Sequence, residues 1–143
     1  MSIRISVDGI KDVEAALQRY GKDVENELGE VVDKVAITIR TEVQKAISRG
    51  GRTGVVYKRG KKTHQASAPG EPPKTDTGFL VNQMLYNKPD KLTAEIGNNA
   101  KYAYWLEYGT RRNGGPRPIW IPTTEKYRPI FQKMVRDVVV KYS

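Results

Sequence analysis

One long apolar stripe constrains the fold of this chain more than any other feature of its 143 residues. Across residues 22–48, apolar side chains recur at spacings of three and four, the period of one face of an α-helix. They are Val24, Leu28, Val31, Val32, Val35, Ile39, Val43, Ala46 and Ile47. Such a helix would be roughly 40 Å long and would form the main scaffold of the domain. Gly29 costs it about 1 kcal/mol relative to alanine, which a stripe of this length can absorb.

The residues before this helix predict a short strand and a first helix. Residues 2–7 alternate between polar and apolar side chains, as in a strand with one buried face. Asp8 or Gly9 is then expected to cap a helix over residues 10–20 that Gly21 ends.

A β-hairpin is predicted in the second half of the chain. Residues 84–87 and 92–97 flank the sequence Lys88-Pro89-Asp90-Lys91, whose proline and aspartate occupy positions typical of a type I turn. The second strand is expected to be half exposed, because its apolar residues alternate with Thr93 and Glu95.

A last helix is predicted near the C-terminus, with Thr123 or Thr124 as its N-cap. Its apolar stripe consists of Tyr127, Ile130, Phe131, Met134, Val135 and Val138. Pro129 leaves two possibilities. It kinks a helix that begins at Thr124, or the helix begins at Pro129 itself, which then occupies the first position. Residues 119–122 are expected to be extended, because a residue that precedes proline disfavours helical geometry.

Residues 100–122 hold three tyrosines, both tryptophans and three arginines. Tyr102, Trp105 and Leu106 fit one face of a short helix that Gly109 ends in a left-handed conformation. So many aromatic rings exceed what a small core can cover, and tyrosine, tryptophan and arginine are enriched at protein contacts. The residues assigned to a subunit or partner contact are Tyr102, Tyr104, Trp105, Glu107, Tyr108, Arg111, Arg112, Arg117 and Trp120.

Glu107 lies in the last turn of that short helix, where the helix dipole disfavours an acid by a few tenths of a kcal/mol. Two interpretations are open. One is an ion pair with Arg111, Arg112 or Arg117 that fixes the following loop to the helix. The other is an exposed pair that contributes almost nothing to stability.

Residues 49–78 are strongly basic and hold few apolar side chains. Residues 49–74 hold seven basic groups and one acidic group, whereas residues 1–48 have a net charge of −2. We expect a long, flexible basic loop in which residues 55–57 form at most a short β arm. Asp76 or Thr77 then caps a helical turn through residues 79–81. The cations assigned to a neighbouring ring or to DNA are Arg52, Lys58, Arg59, Lys61, Lys62 and Lys74.

These elements predict one α+β domain over residues 1–143, with a small antiparallel sheet packed against the long helix and the C-terminal helix. The sheet leaves unpaired edges that a neighbouring subunit can extend. No apolar run is long enough to span a membrane and no signal-peptide core is present, so a soluble, cytoplasmic product is expected. The absence of cysteine excludes disulfides and thiolate metal sites.

The sequence contains little that catalysis requires. The single histidine, His64, has no carboxylate nearby in the chain to orient it, so a solvated loop residue is the simpler interpretation. No cluster has metal-ligand spacing, and the glycines near Gly51 lack the lysine and hydroxyl residue of a phosphate-binding loop. We therefore expect no enzyme activity, no metal and no cofactor.

Two segments are similar to the tail-component family of long-tailed double-stranded DNA bacteriophages. The first contains Ala-Pro-Gly-Glu-Pro-Pro at residues 68–73 followed by Asp-Thr-Gly at residues 76–78. The second contains Tyr102-Ala103, then Glu-Tyr-Gly-Thr at residues 107–110, and a proline-rich segment at residues 116–122. The family often has Pro-aromatic-Leu in that last segment, whereas this chain has Pro118-Ile119-Trp120.

The resemblance implies a neck or tail-completion protein of the virion with no covalent chemistry. Such a protein would assemble in the host cytoplasm as a ring of about six copies. Its partners would be itself, the head connector or stopper, and the tail terminator or tail tube, with genomic DNA in the channel. The alternative from charge alone is a small nucleic-acid-binding module that uses residues 49–74 on phosphates.

Overall fold

The computed structural model describes residues 1–51, 53–54, 56–71, 73, 78–111 and 114–142, and it has the predicted α+β architecture. In chain order its elements are β1 (Ser2–Ser6), α1 (Val13–Tyr20), α2 (Lys22–Arg49), β2 (Val56–Arg59), β3 (Lys62–Gln65), α3 (Phe79–Asn82), β4 (Met84–Asp90), β5 (Thr93–Asn98), α4 (Ala103–Tyr108) and α5 (Trp120–Lys141). The prediction of a small antiparallel sheet with two main helices is therefore confirmed.

The long helix α2 forms where the apolar stripe predicts it and lies at the centre of the core. Val24, Leu28, Val32 and Val43 on this stripe are fully buried. Gly29 has a packing role that the sequence did not indicate. A Cβ atom there would lie 3.0 Å from the carbonyl oxygen of Lys91, so α2 and the β4–β5 turn approach each other too closely for an unstrained side chain.

The main sheet has the strand order β1-β5-β4, and both pairs are antiparallel. Ile3 and Tyr86 both lie opposite Ile96, and Ile5 lies opposite Ala94. Residues directly opposite each other share a sheet face, so this apolar face packs on α2. The other face is polar, with Arg4 and Glu95 joined by an ion pair of 2.9 Å.

The β4–β5 hairpin differs from its prediction in two ways. Strand β4 continues through Pro89 to Asp90, so the connection is a tight turn at Lys91 and Leu92 rather than the predicted turn over residues 88–91. Proline is tolerated there because β4 is an edge strand. Strand β5 is almost completely buried rather than half exposed, since it lies between two strands and beneath α2.

Helix α1 begins at Val13, three residues later than predicted, after a turn in which the Ile10 N–H donates to the Val7 carbonyl oxygen. Its N-cap residue is Asp12 in the left-handed conformation, not Asp8 or Gly9. Gly21 ends this helix as predicted, and α2 follows at once.

Helix α5 begins at Trp120, so the prediction of an extended segment over residues 119–122 is wrong. Neither Thr123 nor Thr124 is its N-cap, and Pro129 lies inside the helix rather than at its start. Pro122 is accommodated because it falls in the first turn, where the helix does not use the backbone N–H groups.

Helices α2 and α5 run antiparallel and are joined by polar contacts along their boundary. Glu42 accepts hydrogen bonds from Lys126 at 3.0 Å and Tyr127 at 2.9 Å, which lowers the pKa of its carboxyl. At the other end, Lys141 contacts Glu27 at 2.5 Å. In the described part of the chain, no helix is both long and apolar enough to cross a lipid bilayer.

Candidate functional site

The two sequence motifs that carry the family resemblance lie against each other in the structure. Gly70 donates its backbone N–H to the Pro116 carbonyl oxygen at 2.7 Å. The Arg117 guanidinium donates to the Ser67 carbonyl oxygen at 3.0 Å and to its hydroxyl at 3.0 Å. The Arg117 backbone N–H donates to the Leu106 carbonyl oxygen at 2.6 Å. We call residues 67–71, 106–111 and 114–117 together the motif junction.

The basic segment that enters this junction contains more β-structure than predicted. Its residues 56–65 form an antiparallel hairpin, with Val56 opposite Gln65 and Gly60 in the turn at a φ of 63°. We call this hairpin the arm. The exposed cations Lys58, Lys61 and Lys62 lie on it. The flexibility of this segment stays a prediction.

Several predicted residues fall where little or nothing is described. Arg52, Lys74 and the expected capping residues Asp76 and Thr77 lie outside the described residues, as does Arg112. Arg59 is placed by its backbone in β2. Gly78, with a φ of 82°, precedes α3 as its N-cap residue.

Glu71 bridges the two chain segments at the base of the arm. Its carboxylate accepts hydrogen bonds from the hydroxyl and the backbone N–H of Thr53 and from the Ala68 N–H at 2.9 Å. The Thr53 hydroxyl, followed by the Ala68 N–H, holds the pKa of this carboxyl below its usual value. The motif glutamate therefore joins the two chain segments from which the arm rises.

Helix α4 presents most of its aromatic side chains to solvent. Tyr104, Trp105 and Tyr108 are 55%, 53% and 52% exposed, and Tyr102 is 37% exposed. We call these four residues the α4 aromatic surface. The predicted short helix is present, and its buried residues are Ala103 and Glu107.

Gly109 ends α4 as predicted, but not in a left-handed helical conformation. Its φ of 79° is positive and its ψ of 158° is extended. A Cβ atom there would lie 2.6 Å from the Pro116 nitrogen, so glycine is required both by its backbone conformation and by the close approach of the following segment.

Glu107 has a role that neither interpretation of the sequence anticipated. Its side chain is buried, and its carboxylate accepts the backbone N–H of Ile119 at 3.0 Å and that of Trp120 at 2.6 Å. These N–H groups open α5, so Glu107 caps that helix from outside. Arg117 binds Ser67, and Arg111 is exposed.

Trp120 was assigned to a contact surface, but its side chain is only 3% exposed. It lies in the core with Ile47, Leu80 and Pro73 around a small void beneath the motif junction. Trp120 and Glu107 are therefore buried behind the α4 aromatic surface and are not part of it.

Asn98 is a structural residue of this region that sequence reasoning missed. It is completely buried; its amide nitrogen donates to the Leu80 carbonyl oxygen at 2.7 Å, and its side-chain oxygen accepts the Ala100 N–H at 2.8 Å. It therefore joins α3, the end of β5 and the approach to α4. The pair Asn98-Asn99, which directly follows the predicted strand over residues 92–97, is a turn signal that could have identified this residue.

Among the residues that the structure describes, no group of three or more histidine, cysteine, aspartate or glutamate residues could hold a metal ion. His64 is half-buried in β3 rather than in a solvated loop.

A family model matches residues 11–109, more than half of the chain. It describes the HK97-gp10-like family as "Bacteriophage HK97-gp10, putative tail-component". The chain belongs to this family. Comparison with curated proteins and with solved structures found no significant match.

As a member of the HK97-gp10-like family, the chain is a structural component of a bacteriophage tail. The matched residues include α1, α2, the arm, β4, β5 and α4, whereas β1 and α5 lie outside. The match to the family model ends at Gly109, which lies within the motif junction.

Proposed function

We propose that this tail component forms a ring of about six copies at the head–tail junction, around the channel through which DNA passes. The ring assembles in the host cytoplasm and connects the head connector or stopper to the tail terminator or tail tube. It performs no catalysis. The observation that carries the proposal, beyond family membership, is the α4 aromatic surface.

The α4 aromatic surface has the composition of a protein contact. Three of its rings are more than half exposed within five residues, and Tyr104 and Tyr108 have ring centroids 4.6 Å apart. Tyrosine and tryptophan combine a large apolar area with a polar tip, and they are enriched among the residues that dominate binding energy. A flanking ring protein is the partner that we assign to this surface.

This surface is also held rigidly before any partner arrives. Helix α4 has six residues, too few to be stable alone in water. Glu107, the bond between Leu106 and Arg117, and the Asn98 side chain hold it in place. A preorganised surface loses less conformational entropy on binding, which favours tight association.

Electron microscopy of a lysate from a phage or prophage with a stop codon in this gene tests the location. Filled heads and free tails that fail to join are the expected result. Normal, infectious particles would overturn the proposal, because a ring at the junction is indispensable for joining.

The α4 aromatic surface is tested by the triple variant Tyr104→Ser/Trp105→Ser/Tyr108→Ser, supplied in place of the wild-type protein. Plaque formation should fall by about two orders of magnitude or more, because the variant loses the residues assigned to the contact. Cooperative unfolding should be retained, because these side chains are exposed. The matched control is Ile37→Ser/Val140→Ser, which removes exposed apolar side chains from α2 and α5. Equal losses in both variants would argue against a specific contact at α4.

The second candidate function is binding of nucleic acid by the arm. Lys58, Lys61 and Lys62 are exposed, and within the described residues their side chains have no hydrogen bond or ion pair. Binding of this kind would weaken with salt at a logarithmic slope of about −0.9 per neutralised phosphate. A steep slope with nanomolar affinity for duplex DNA would favour this function over a purely structural one.

A further inference from the structure

An acidic groove lies at the opposite end of the molecule from the arm. It is bounded by the β1–α1 connection, α1 and the β4–β5 turn, and it has a volume of about 750 Å³. Its lining is apolar at Ile10, Leu17 and Leu92, which are half buried. Asp8, Asp12 and Glu14 add three exposed carboxylates to it.

These three carboxylates have no cationic partner in the part of the chain that the structure describes. Among the described residues, none of their side chains makes a hydrogen bond or an ion pair, in contrast to Glu42 and Glu71. Lys11 lies between them in sequence but does not line the groove. Like charges in one concave site concentrate a negative potential, which attracts a cationic partner.

The arm carries the complementary chemistry. Lys58, Lys61 and Lys62 are exposed cations, and Val56 beside them is 57% exposed. The arm therefore combines positive charge with an uncovered apolar side chain, as the groove combines negative charge with an apolar lining. No other segment of the described chain has such a concentration of unpaired lysines.

The arm cannot reach the groove of its own chain. The groove lies level with the first turns of α2, because Leu92 adjoins Lys91, which packs against Gly29. The arm departs beyond Gly50, twenty or so residues later, and this distance along a helix is roughly 30 Å. A hairpin of ten residues extends no more than about 17 Å.

We propose that the arm of one copy docks into the acidic groove of the next copy. This inference rests on the ring assigned under the proposed function and names the contact between its subunits. The contact is head-to-tail, since it uses two different surfaces at opposite ends of α2. Repetition of such a contact generates a ring when the rotation between subunits closes.

Charge reversal in both surfaces tests the pairing. The arm variant Lys58→Glu/Lys61→Glu and the groove variant Asp8→Lys/Glu14→Lys should each reduce phage yield at least about tenfold, because like charges then face each other. The combined variant restores opposite charges and the wild-type net charge, so its yield should return. The control Lys34→Glu/Lys45→Glu has the same charge change as the arm variant on exposed positions of α2 and should keep its yield.

Two results would overturn the docking. One is a combined variant that folds cooperatively but stays as defective as the single-surface variants. The other is an arm variant that is defective beside a normal groove variant, which would assign the arm to nucleic acid.

Disulfide trapping tests the same contact in assembled particles, since the wild-type chain has no cysteine. Oxidised particles that carry Lys61→Cys/Glu14→Cys should show a ladder of covalent oligomers under denaturing conditions. The control pair Lys61→Cys/Lys34→Cys should remain monomeric. Joined, infectious particles without a ladder would contradict the docking alone, whereas normal particles from the stop-codon phage would contradict the ring itself.

Discussion

Glu107 shows how one buried side chain connects the short helix α4 to the start of α5. From sequence, an acid in the last turn of a helix is unfavourable and requires an opposing group. The positive end of α5 provides that group, since its first N–H groups point at the carboxylate. The same interaction explains why α5 begins at Trp120 without a capping side chain of its own.

Replacement of Glu107 should destabilise the whole fold. Glu107→Gln loses the charge and one acceptor, and Glu107→Ala leaves one buried and one partly buried N–H group without partners. The expected loss in free energy of unfolding is about 1 kcal/mol for the first and about 2–3 kcal/mol for the second. Urea denaturation followed by circular dichroism measures both.

The matched control for Glu107 is Glu125→Gln, which breaks a solvent-exposed ion pair with Arg128. Exposed pairs of this type contribute no more than about 0.5 kcal/mol. If both glutamates gave the same loss, the capping role of Glu107 would be wrong.

At the scale of the element, Gly29 shows that a residue unfavourable in a helix can be required by its neighbour. In an isolated helix, Gly29→Ala would stabilise by about 1 kcal/mol. Here the new Cβ atom meets the Lys91 carbonyl oxygen and side chain, so we expect no gain or a net loss. Thr38→Ala, at a half-buried position of α2, provides the control for helix propensity. A gain of about 1 kcal/mol in the free energy of unfolding of Gly29→Ala would show that the β4–β5 turn can move away from α2.

The contact between β4 and α2 should make stability depend on pH at the alkaline end. Tyr86 donates its hydroxyl to Asp33 at 2.8 Å, and Lys88 contacts the same oxygen at 2.6 Å. Partial burial, then the bond to Asp33, raises the pKa of Tyr86 to about 12 from 10.0. The folded state thus holds this proton more tightly than the unfolded state does.

The contribution of Tyr86 is fully present below pH 10 and is lost as the pH rises from about 10 to about 12. Tyr86→Phe should therefore flatten the decline in free energy of unfolding over that interval, measured by urea titrations at each pH. Tyr104→Phe, an exposed tyrosine, serves as the control. An unchanged alkaline slope in Tyr86→Phe would contradict this assignment.

Asp33 acts at the opposite end of the pH range. Burial alone would raise its pKa, but the hydrogen bonds from Lys88 and Tyr86 outweigh burial and lower it. Its contribution is present above the ordinary pKa of an aspartate and is lost as the pH falls through the lowered value. Asp33→Asn should accordingly reduce the acid sensitivity of the fold.

At the scale of the whole molecule, the arm is separable from the core. The Gly54 N–H donates to the Ala66 carbonyl oxygen at 3.0 Å, so the two ends of the hairpin are adjacent. Replacing residues 56–65 by Gly-Ser should leave the free energy of unfolding within about 0.5 kcal/mol of the wild-type value, since their described side chains are not part of the core.

The same excision should abolish assembly, measured as free heads and tails in a complemented stop-codon lysate. Only the hairpin is deleted, so that Ser67 and Glu71 remain. Both residues make hydrogen bonds that hold the motif junction together. Loss of cooperative unfolding in the excised chain would show that the arm belongs to the core, contrary to this structure.

Local pattern was sufficient to predict much of this architecture. The stripe of α2 and the alternation of β1 identify elements that bury one face, and burial of an apolar face is the main driving force of folding. Two short motifs also carried the resemblance to the tail-component family, which the family model over residues 11–109 confirms. Element type is thus encoded within a few residues of each position.

Burial and partner choice depended on contacts between distant segments. The sequence by itself determined the α+β class, the long helix, the basic arm segment and the tail-component family. Only the tertiary structure decided that Glu107 caps α5, that Trp120 is buried, that Asn98 joins three segments and that β5 is central. Each of these depends on which remote N–H, carbonyl or strand arrives beside the residue, and local periodicity carries no information about that.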